Sequence, residues 1–366
     1  MSQQKPCIAL YLPRFSIYGG VERFAYNLAA YLNKNNFKVI FICARKEISP
    51  PPNVKIICTG RPPLSKIGKM SWYAFFAQKI KNQIHADIHF SLGKTLSQDI
   101  VRVGGGPLKI FWELSQKAYP GFEKKIKILR RKLSPANQLT FWLEKKQFTQ
   151  AKKIICVSDH VKEWLLKAYP HIPLNKITVI YNLPDLNKFY PQPMRKTTFR
   201  KKYNLPLNKK IILTVATNFK LKGIEYLIKS LKYLPTNYCL AVAGKRNASS
   251  YLKLSKKLNL TKRVFFLGQV KEIESLYPAC DLFVLNSFYD ACSNALLEAM
   301  ACGLTAISSI FNGSSVFLNS NNLINDPANP QHIANVIQNA CFIPLKIPSN
   351  LNIGLKPYKQ IIESLL

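Results

Sequence analysis

The segment SFYDACSNALLEAMACGL, residues 287–304, holds two carboxylates in a chain that has only 18 acidic residues among 366. Asp290 and Glu298 are eight positions apart, which corresponds to about 12 Å along a helix, so they cannot act on one atom. A carboxylate accepts hydrogen bonds from pairs of neighbouring hydroxyls, as on sugar rings. The spacing therefore suits the two ends of an extended ligand, one carboxylate at a sugar and the other at a ribose.

The residues between these carboxylates predict the start of a helix over 294–302. Ser293 or Asn294 is a suitable N-cap, and Gly303 suits the position after the last turn. The N-terminus of such a helix can bind a phosphate. An amphipathic helix with ordinary caps and an exposed Glu298 is the alternative interpretation.

A second candidate is the lysine-rich segment VATNFKLKGIEYLIKSL, residues 215–231. Lys220 and Lys222 fall where a strand turns into a helix, with Gly223 next, so they could neutralise a diphosphate. With 53 basic residues in the chain, a solvated basic face is the simpler alternative.

A third candidate is Gly19-Gly20, between the first predicted strand and a helix. Glycine allows close approach of the backbone to an anion, although the pattern is not GxGxxG and a plain turn remains open. The chain has no Asp-x-Asp and its five histidines are isolated. We therefore expect no metal ligand and no cofactor, so that lysines and backbone N–H groups must stabilise a diphosphate leaving group.

These candidates require a framework of strands alternating with helices. Buried strands are predicted in both halves of the chain, and a helix over 20–33 would bury Val21, Phe24, Leu28 and Tyr31. This alternation predicts parallel sheets, wound on both sides by helices, with ligands at the carboxyl ends of the strands. The predicted strands are residues 7–12, 38–43, 54–58, 87–91, 153–157, 210–216, 239–243, 264–267 and 282–285.

The length of 366 residues favours two domains. We predict an N-terminal Rossmann-like domain over 1–185, a proline-containing hinge over 186–200, and a C-terminal ligand-binding domain over 201–345. Residues 346–366 would form a tail or helix that packs on the N-terminal domain. No apolar run is long enough to cross a bilayer, and the N-terminus does not resemble a secretory signal. The nine scattered cysteines suit reduced core thiols in a cytosol.

The net charge of +35 predicts an anionic partner. Segment 122–133, FEKKIKILRRKL, places Ile126, Leu129 and Leu133 on one helical face, as in helices that lie on anionic bilayers. A core-facing helix with a solvated basic face is the alternative. The cations of this segment are Lys124, Lys125, Lys127, Arg130, Arg131 and Lys132.

Taken in order, five segments resemble the retaining glycosyltransferases of the GT-B fold, specifically glycosyltransferase family 4, and within it the lipopolysaccharide-core glucosyltransferases. The most specific of them, YDACSNALLEAMACGL, is similar to the Glu-x7-Glu region of that family. The other segments are GGVERF, IICVSDHVKEWL, VIYNLPDLNKFYP and FKLKGIEYLI.

The resemblance implies a site residue by residue. Lys222 would contact the donor diphosphate, Glu298 the ribose, and Asp290, which replaces the family's first Glu, the transferred sugar. Asp99 aligns with an acidic residue that lines the active site of the lipopolysaccharide-core glucosyltransferases. Thr217 stands at the usual Arg position, where Lys220 would compensate for the missing charge. Gly19 and Gly20 would lie against the diphosphate, and Ser293 and Asn294 would add donor contacts.

The resulting prediction is a retaining, metal-independent hexosyltransferase that uses a nucleoside-diphosphate sugar, with UDP-glucose favoured. Its acceptor would be a lipid-linked or phosphorylated glycan, as in lipopolysaccharide biosynthesis. We expect it in the cytoplasm, peripheral on the cytosolic face of the inner membrane, and without nucleic acid. The alternatives are a nucleic-acid-binding basic protein and a catalytically inactive GT-B scaffold.

Overall fold

The structure is a computed structural model that describes residues 5–346 and 350–366. Strands in the first half of the chain are β1 (Cys7–Tyr11), β2 (Arg14–Phe15), β3 (Lys38–Cys43), β4 (Arg45–Lys46), β5 (Val54–Cys58), β6 (Ile88–Ser91), β7 (Ile100–Val103), β8 (Lys153–Cys156) and β9 (Ile177–Val179). Helices there are α1 (Gly20–Lys34), α2 (Lys66–Gln83), α3 (Leu108–Ser115), α4 (Gly121–Lys132), α5 (Pro135–Gln150) and α6 (Asp159–Ala168).

The same alternation continues in the second half. Its strands are β10 (Lys210–Val215), β11 (Tyr238–Ala243), β12 (Val264–Gly268), β13 (Leu282–Leu285), β14 (Thr305–Ser309) and β15 (Leu323–Ile324). Its helices are α7 (Lys196–Lys202), α8 (Ile224–Ser230), α9 (Ser249–Lys257), α10 (Ile273–Leu276), α11 (Asn294–Ala301), α12 (Pro330–Asn339) and, near the end of the chain, α13 (Lys356–Glu363).

The main strands form two parallel sheets. The first has the order β5-β3-β1-β6-β7-β8-β9, and the second has the order β12-β11-β10-β13-β14-β15. In each sheet the strands that follow the first one are added on one side of it, and the later strands are added on its other side, as in doubly wound folds. The predicted fold class of two Rossmann-like α/β domains is therefore confirmed, and all nine predicted strands are present within two residues of the expected bounds.

Strand β1 shows why its sequence is a continuous apolar run. Ile8 and Leu10 pack in one cluster beneath α1, while Cys7, Ala9 and Tyr11 pack in another on the opposite face. A strand of a parallel sheet is buried on both faces and therefore needs apolar residues at every position. Helix α1 buries Ala25, Leu28, Ala29 and Leu32, with Val21 and Phe24 packed at the edge of the core; Leu32 takes the place we expected for Tyr31.

The described chain divides into two compact units whose bounds differ from the predicted domains. The first unit comprises residues 5–112, 125–182 and 350–366, and the second comprises 113–124 and 183–346. The segment predicted as a hinge, 186–200, therefore lies in the second unit, where it includes the first residues of α7. The tail returns to the first unit, where Tyr358 and Ile362 are buried in its core.

Candidate active site in the second unit

The predicted carboxylate segment lies at the carboxyl edge of the second sheet, directly after β13. Asp290 is fixed through its backbone, because its N–H donates to the Phe311 carbonyl at 2.9 Å and its own carbonyl accepts from Gly313 N–H at 3.0 Å. These two bonds leave the carboxylate free to face the neighbouring turn. There it forms an ion pair with the ammonium of Lys222, and both side chains are largely buried.

Lys222 lies in the turn between β10 and α8, at the same edge of the sheet. Gly223 follows with φ of +57°, and a Cβ at this position would lie 2.5 Å from the Asn286 carbonyl oxygen. The Phe288 N–H donates to the Leu221 carbonyl at 2.9 Å. The lysine turn and the segment after β13 are therefore packed backbone to backbone, which brings together two predicted site residues 68 positions apart.

Helix α11 starts where the sequence predicts and carries Glu298 into the interior. The Ser293 hydroxyl accepts a hydrogen bond from Leu296 N–H at 3.3 Å, so Ser293 is the N-cap and Asn294 the first helical residue. Gly303 follows the last turn with φ of +81°. Glu298 is only 8% exposed and accepts a hydrogen bond from the Tyr277 hydroxyl at 2.9 Å. The alternative of an exposed Glu298 is therefore wrong.

A buried asparagine supports this segment and was missed by sequence reasoning. The Asn312 side-chain oxygen accepts from Ser293 N–H at 3.2 Å and from Ser314 N–H at 3.1 Å, while its amide donates to Ser308 at 2.9 Å. Asn312 therefore fixes the loop that carries Asp290 and the helix that carries Glu298. The signal in the sequence that could have pointed to Asn312 is the polar run TAISS of β14, which lies just before it and which the fold buries.

Asn286, directly after β13, was also missed. Its amide donates to the Pro327 carbonyl at 2.9 Å and lies beside Gly223. Its side-chain oxygen is buried and has no hydrogen-bond partner among residues 5–346 and 350–366. The signal in the sequence was a polar Asn-Ser pair that follows an apolar strand without a break.

Cys302 lies one turn after Glu298, at the end of α11. Burial raises the pKa of the Cys302 thiol to about 12, and the charge of Glu298 adds to that shift. Cys302 is therefore protonated at neutral pH.

The structure places the two remaining donor-side candidates of this unit differently from our expectation. The ammonium of Lys220 forms an ion pair with Glu123 and lies 5.1 Å from the centroid of the Tyr119 ring. Thr217 is exposed, and its carbonyl accepts a hydrogen bond from Arg246 at 2.8 Å. The cation beside Thr217 is therefore Arg246, which sequence reasoning did not single out, rather than Lys220.

The other predicted residues lie in the first unit. Gly19 caps the N-terminus of α1 with φ of +130°, and Gly20 is the first residue of that helix. Asp99 precedes β7, at the amino edge of the sheet, opposite the edge at which α1 starts. Its carboxylate accepts from His89 N–H at 2.9 Å and lies 3.1 Å from the Lys152 ammonium. This placement gives Asp99 a role in joining strands and argues against the catalytic role we expected.

The basic helix α4 has its apolar residues on the outside. Ile126 is 45% exposed, Leu129 58% and Leu133, just after the helix, 72%. Lys127 and Arg131, on the other side of the helix, are half-buried. The alternative of a core-facing apolar stripe is therefore wrong. The remaining cations of the segment are exposed: Lys124, Lys125, Arg130 and Lys132. Within the described residues, no helix is long and apolar enough to cross a membrane.

Comparison with known proteins supports the class that the fold and this site define. Residues 195–343 match the sequence model described as "Glycosyl transferases group 1", and residues 118–188 match "Glycosyltransferase Family 4". Among solved structures, that of WaaG, a glycosyltransferase involved in lipopolysaccharide biosynthesis, superposes with a TM-score of 0.76 at 19% identity, covering 90% of this chain and 89% of WaaG. The chain has the GT-B fold, and its sequence is similar to these two glycosyltransferase models over the residues given, as the resemblance in its motifs predicts.

Two curated relatives show how far the sequence similarity extends. The Escherichia coli UDP-Gal:alpha-D-GlcNAc-diphosphoundecaprenol alpha-1,3-galactosyltransferase is 30% identical over 181 residues, which are 48% of this chain and 46% of that protein. The lipopolysaccharide glucosyltransferase WaaG of Escherichia coli K12 is 24% identical over 164 residues, 43% of this chain and 44% of its own. The chain thus matches about half the length of these curated relatives.

Proposed function

We propose that the protein is a retaining hexosyltransferase that uses a nucleoside-diphosphate sugar, with UDP-glucose as the favoured donor, and acts on a glycan or glycolipid of the lipopolysaccharide-core type. The observation that carries this proposal is the Lys222–Asp290 pair at the carboxyl edge of the second sheet, continuous with the buried Glu298 of α11. A cation and a carboxylate in contact can serve adjacent parts of one ligand, its phosphate and its sugar.

Each residue has a distinct role in this proposal. Lys222 neutralises the donor diphosphate, and the N–H groups at the start of α11 add partial positive charge. Asp290 accepts hydrogen bonds from the sugar hydroxyls and stabilises positive charge that develops at the anomeric carbon. Glu298 accepts hydrogen bonds from the two ribose hydroxyls. We propose that these groups suffice without a metal ion.

The proposed reaction exchanges one bond at the anomeric carbon for another. The acceptor hydroxyl attacks from the side of the leaving group, the bond from that carbon to the diphosphate oxygen breaks, and a new bond to the acceptor oxygen forms. The hydroxyl proton passes to the departing phosphate. Lys222 stabilises the charge on the diphosphate as the bond breaks, because an ammonium held in a largely buried site needs little reorganisation.

For the acceptor side we propose peripheral attachment to an anionic membrane through α4. A helix on the surface of a soluble protein normally turns its apolar stripe inwards. Here the stripe of Ile126, Leu129 and Leu133 points outwards, between exposed cations. This arrangement fits insertion of the leucines between lipid headgroups with cations at the lipid phosphates. The two relatives named above act, by their names, on undecaprenol-linked and lipopolysaccharide substrates.

The decisive experiment compares Glu298→Gln with Glu225→Gln, which changes a half-buried glutamate of α8 that is paired with Lys229. UDP release from UDP-glucose is measured with and without a lipopolysaccharide acceptor. Hydrogen bonds to a charged group contribute about 1.5–3 kcal/mol each. We therefore expect Glu298→Gln to raise the KM for UDP-glucose by at least about tenfold, and Glu225→Gln to leave it unchanged. Thermal unfolding of both variants tests for a loss of folding.

The same preparation separates the alternatives. A bound donor at 100 times its Kd should stabilise the folded protein by about 2.7 kcal/mol. Stabilisation without any UDP release would favour an inactive scaffold. Absence of stabilisation by UDP-, GDP- and ADP-linked sugars, together with tight retention of DNA or RNA at physiological salt, would overturn the proposal in favour of a nucleic-acid-binding protein. Activity that survives a chelator supports metal independence.

A further inference from the structure

A groove of about 340 Å³ lies between the start of α2 and the turn that joins α4 to α5, within the first unit. Four cations and two neutral hydrogen-bonding residues line it: Lys66, Lys127, Arg130, Arg131, Ser134 and Asn137. Among the described residues, the lining contains no carboxylate. Only Lys127, Arg130 and Arg131 come from the basic segment singled out in the sequence, so the groove is a feature of the fold.

Two of the lining residues are held in place by the surrounding backbone. Arg131 donates a hydrogen bond to the Trp112 carbonyl at 3.3 Å, and its guanidinium carbon lies 5.3 Å from the centroid of the Phe111 ring. The Asn137 amide donates to the Arg131 carbonyl at 3.0 Å. The turn between α4 and α5 therefore presents its polar groups in a fixed arrangement.

Two further lining residues, Lys66 and Arg130, are exposed cations. Lys66 is the first residue of α2, where Ser65 caps the helix by accepting from Gly68 N–H at 3.2 Å. Arg130 lies across from it on α4. In the part of the chain that the structure describes, neither side chain takes part in an ion pair. Like charges gathered around one concavity repel each other and concentrate anions from solution.

The chemistry of the lining specifies which anion fits. Guanidinium groups match the tetrahedral oxygens of a phosphate with paired N–H donors, and an ammonium adds a compact charge. The groove volume of about 340 Å³ is near the lower end of the range for small-molecule sites. It has room for a phosphate and for part of the carbon skeleton that bears it. A carboxylate ligand would need fewer charges, and a nucleic acid would need an extended path.

We propose that this groove binds a phosphate ester, carried either by the acceptor glycan or by a membrane lipid. The choice of carrier rests on the proposed function, whereas the phosphate chemistry rests on the groove alone. The outward apolar stripe of α4 and the cationic groove on its inner side share one helix. Contact of α4 with a membrane surface thus brings the groove to the level of the lipid phosphates.

The test compares Lys66→Gln with Lys79→Gln, which removes the same charge from an exposed position on the same helix, away from the groove. Glucose 6-phosphate binding is measured by isothermal titration, with glucose as the probe without phosphate and excess UDP present to occupy the donor site. We expect Lys66→Gln, and also Arg130→Gln, to weaken glucose 6-phosphate binding at least fivefold relative to Lys79→Gln. Added salt should weaken binding to the wild-type protein as well.

A second arm identifies the carrier. Flotation with phosphatidylglycerol–phosphatidylcholine vesicles is repeated for each variant. Weaker vesicle binding by Lys66→Gln than by Lys79→Gln assigns the site to lipid phosphate; a loss confined to glucose 6-phosphate assigns it to a phosphorylated acceptor. Equal binding by Lys66→Gln and Lys79→Gln in both arms overturns the inference. Failure of wild-type protein to bind any nucleotide sugar overturns the proposed function instead, and the two failures are therefore distinct.

Discussion

The outward apolar stripe of α4 yields the most quantitative prediction. The triple variant Ile126→Ser, Leu129→Ser, Leu133→Ser removes side chains that are 45%, 58% and 72% exposed. Full burial of one such side chain contributes about 2 kcal/mol, so their exposed parts together represent about 3.5 kcal/mol of membrane-binding energy. At 1.4 kcal/mol for each factor of ten, the partition coefficient onto anionic vesicles should fall about 300-fold.

The same exposure predicts little effect on the fold. The matched control is Leu174→Ser, Leu207→Ser, Leu252→Ser, which removes three leucines that are 63%, 52% and 49% exposed elsewhere in the chain. Flotation is measured on phosphatidylglycerol-containing and neutral vesicles, and urea unfolding is measured for both variants. The control should float like wild-type protein, and neither variant should lose much stability.

Two results would refute the reasoning about α4. Wild-type flotation by the α4 variant would show that the stripe does not enter the bilayer. A large loss of unfolding free energy in that variant alone would show that the stripe is packed in solution, contrary to its exposure. Equal flotation of wild-type protein on neutral and anionic vesicles would show that the cations of α4 do not contribute to binding. The electrostatic part of the proposal would then be wrong, whereas the part that rests on the apolar side chains would stand.

Two further predictions concern stability. Burial opposes ionisation of Asp99, but the His89 N–H and the Lys152 ammonium outweigh it and hold the pKa of its carboxyl below the usual value; the resulting stabilisation should be present above about pH 4 and be lost as the pH falls further. The deficit in unfolding free energy of Asp99→Asn should therefore shrink as the pH is lowered from about pH 4 to about pH 2 in urea titrations. A deficit that stays constant over this range would contradict the prediction. Arg200 is 5% exposed and donates to Ala279, Leu207 and Asp281 at 2.6–2.9 Å, so Arg200→Met should cost about 3–5 kcal/mol. Exposed Lys201→Met should change the unfolding free energy by less than about 0.5 kcal/mol, and similar values for both variants would refute the assigned role of Arg200.

The sequence was sufficient for the long buried strands and insufficient for strands without apolar runs. Strand β14, TAISS, is built of small and hydroxylated residues, and its burial depends on the elements around it rather than on its own hydrophobicity. Strand β7, IVRV, contains Arg102, which is buried because Tyr358 and Asn182 accept hydrogen bonds from its guanidinium. Neither partner is close in sequence, so no local pattern could have predicted this strand.

The candidate site was predictable where its residues lie in one segment. Asp290, Ser293 and Glu298 follow each other closely, and local spacing predicted both the cap and the helix. Lys222 was placed near them only by the resemblance. Asn312 and Arg246 were missed because their importance comes from contacts with Ser293 and Thr217, which are 19 and 29 positions away. Asp99 was assigned by alignment to a motif, and the edge of the sheet on which it lies could not be known from that motif.

The return of the tail to the first unit has a consequence for biosynthesis. Arg102 donates to the Tyr358 hydroxyl at 3.0 Å, and Tyr358 packs against Phe24 and Phe90, so the last helix completes a core that began with the first strand. During translation this core lacks α13 until the second unit has been made. Until then the nascent first unit has an open apolar slot, and the Arg102 guanidinium keeps its hydrogen bond to Asn182 but lacks the one to Tyr358. The first unit therefore cannot complete its core before the second unit has been synthesised.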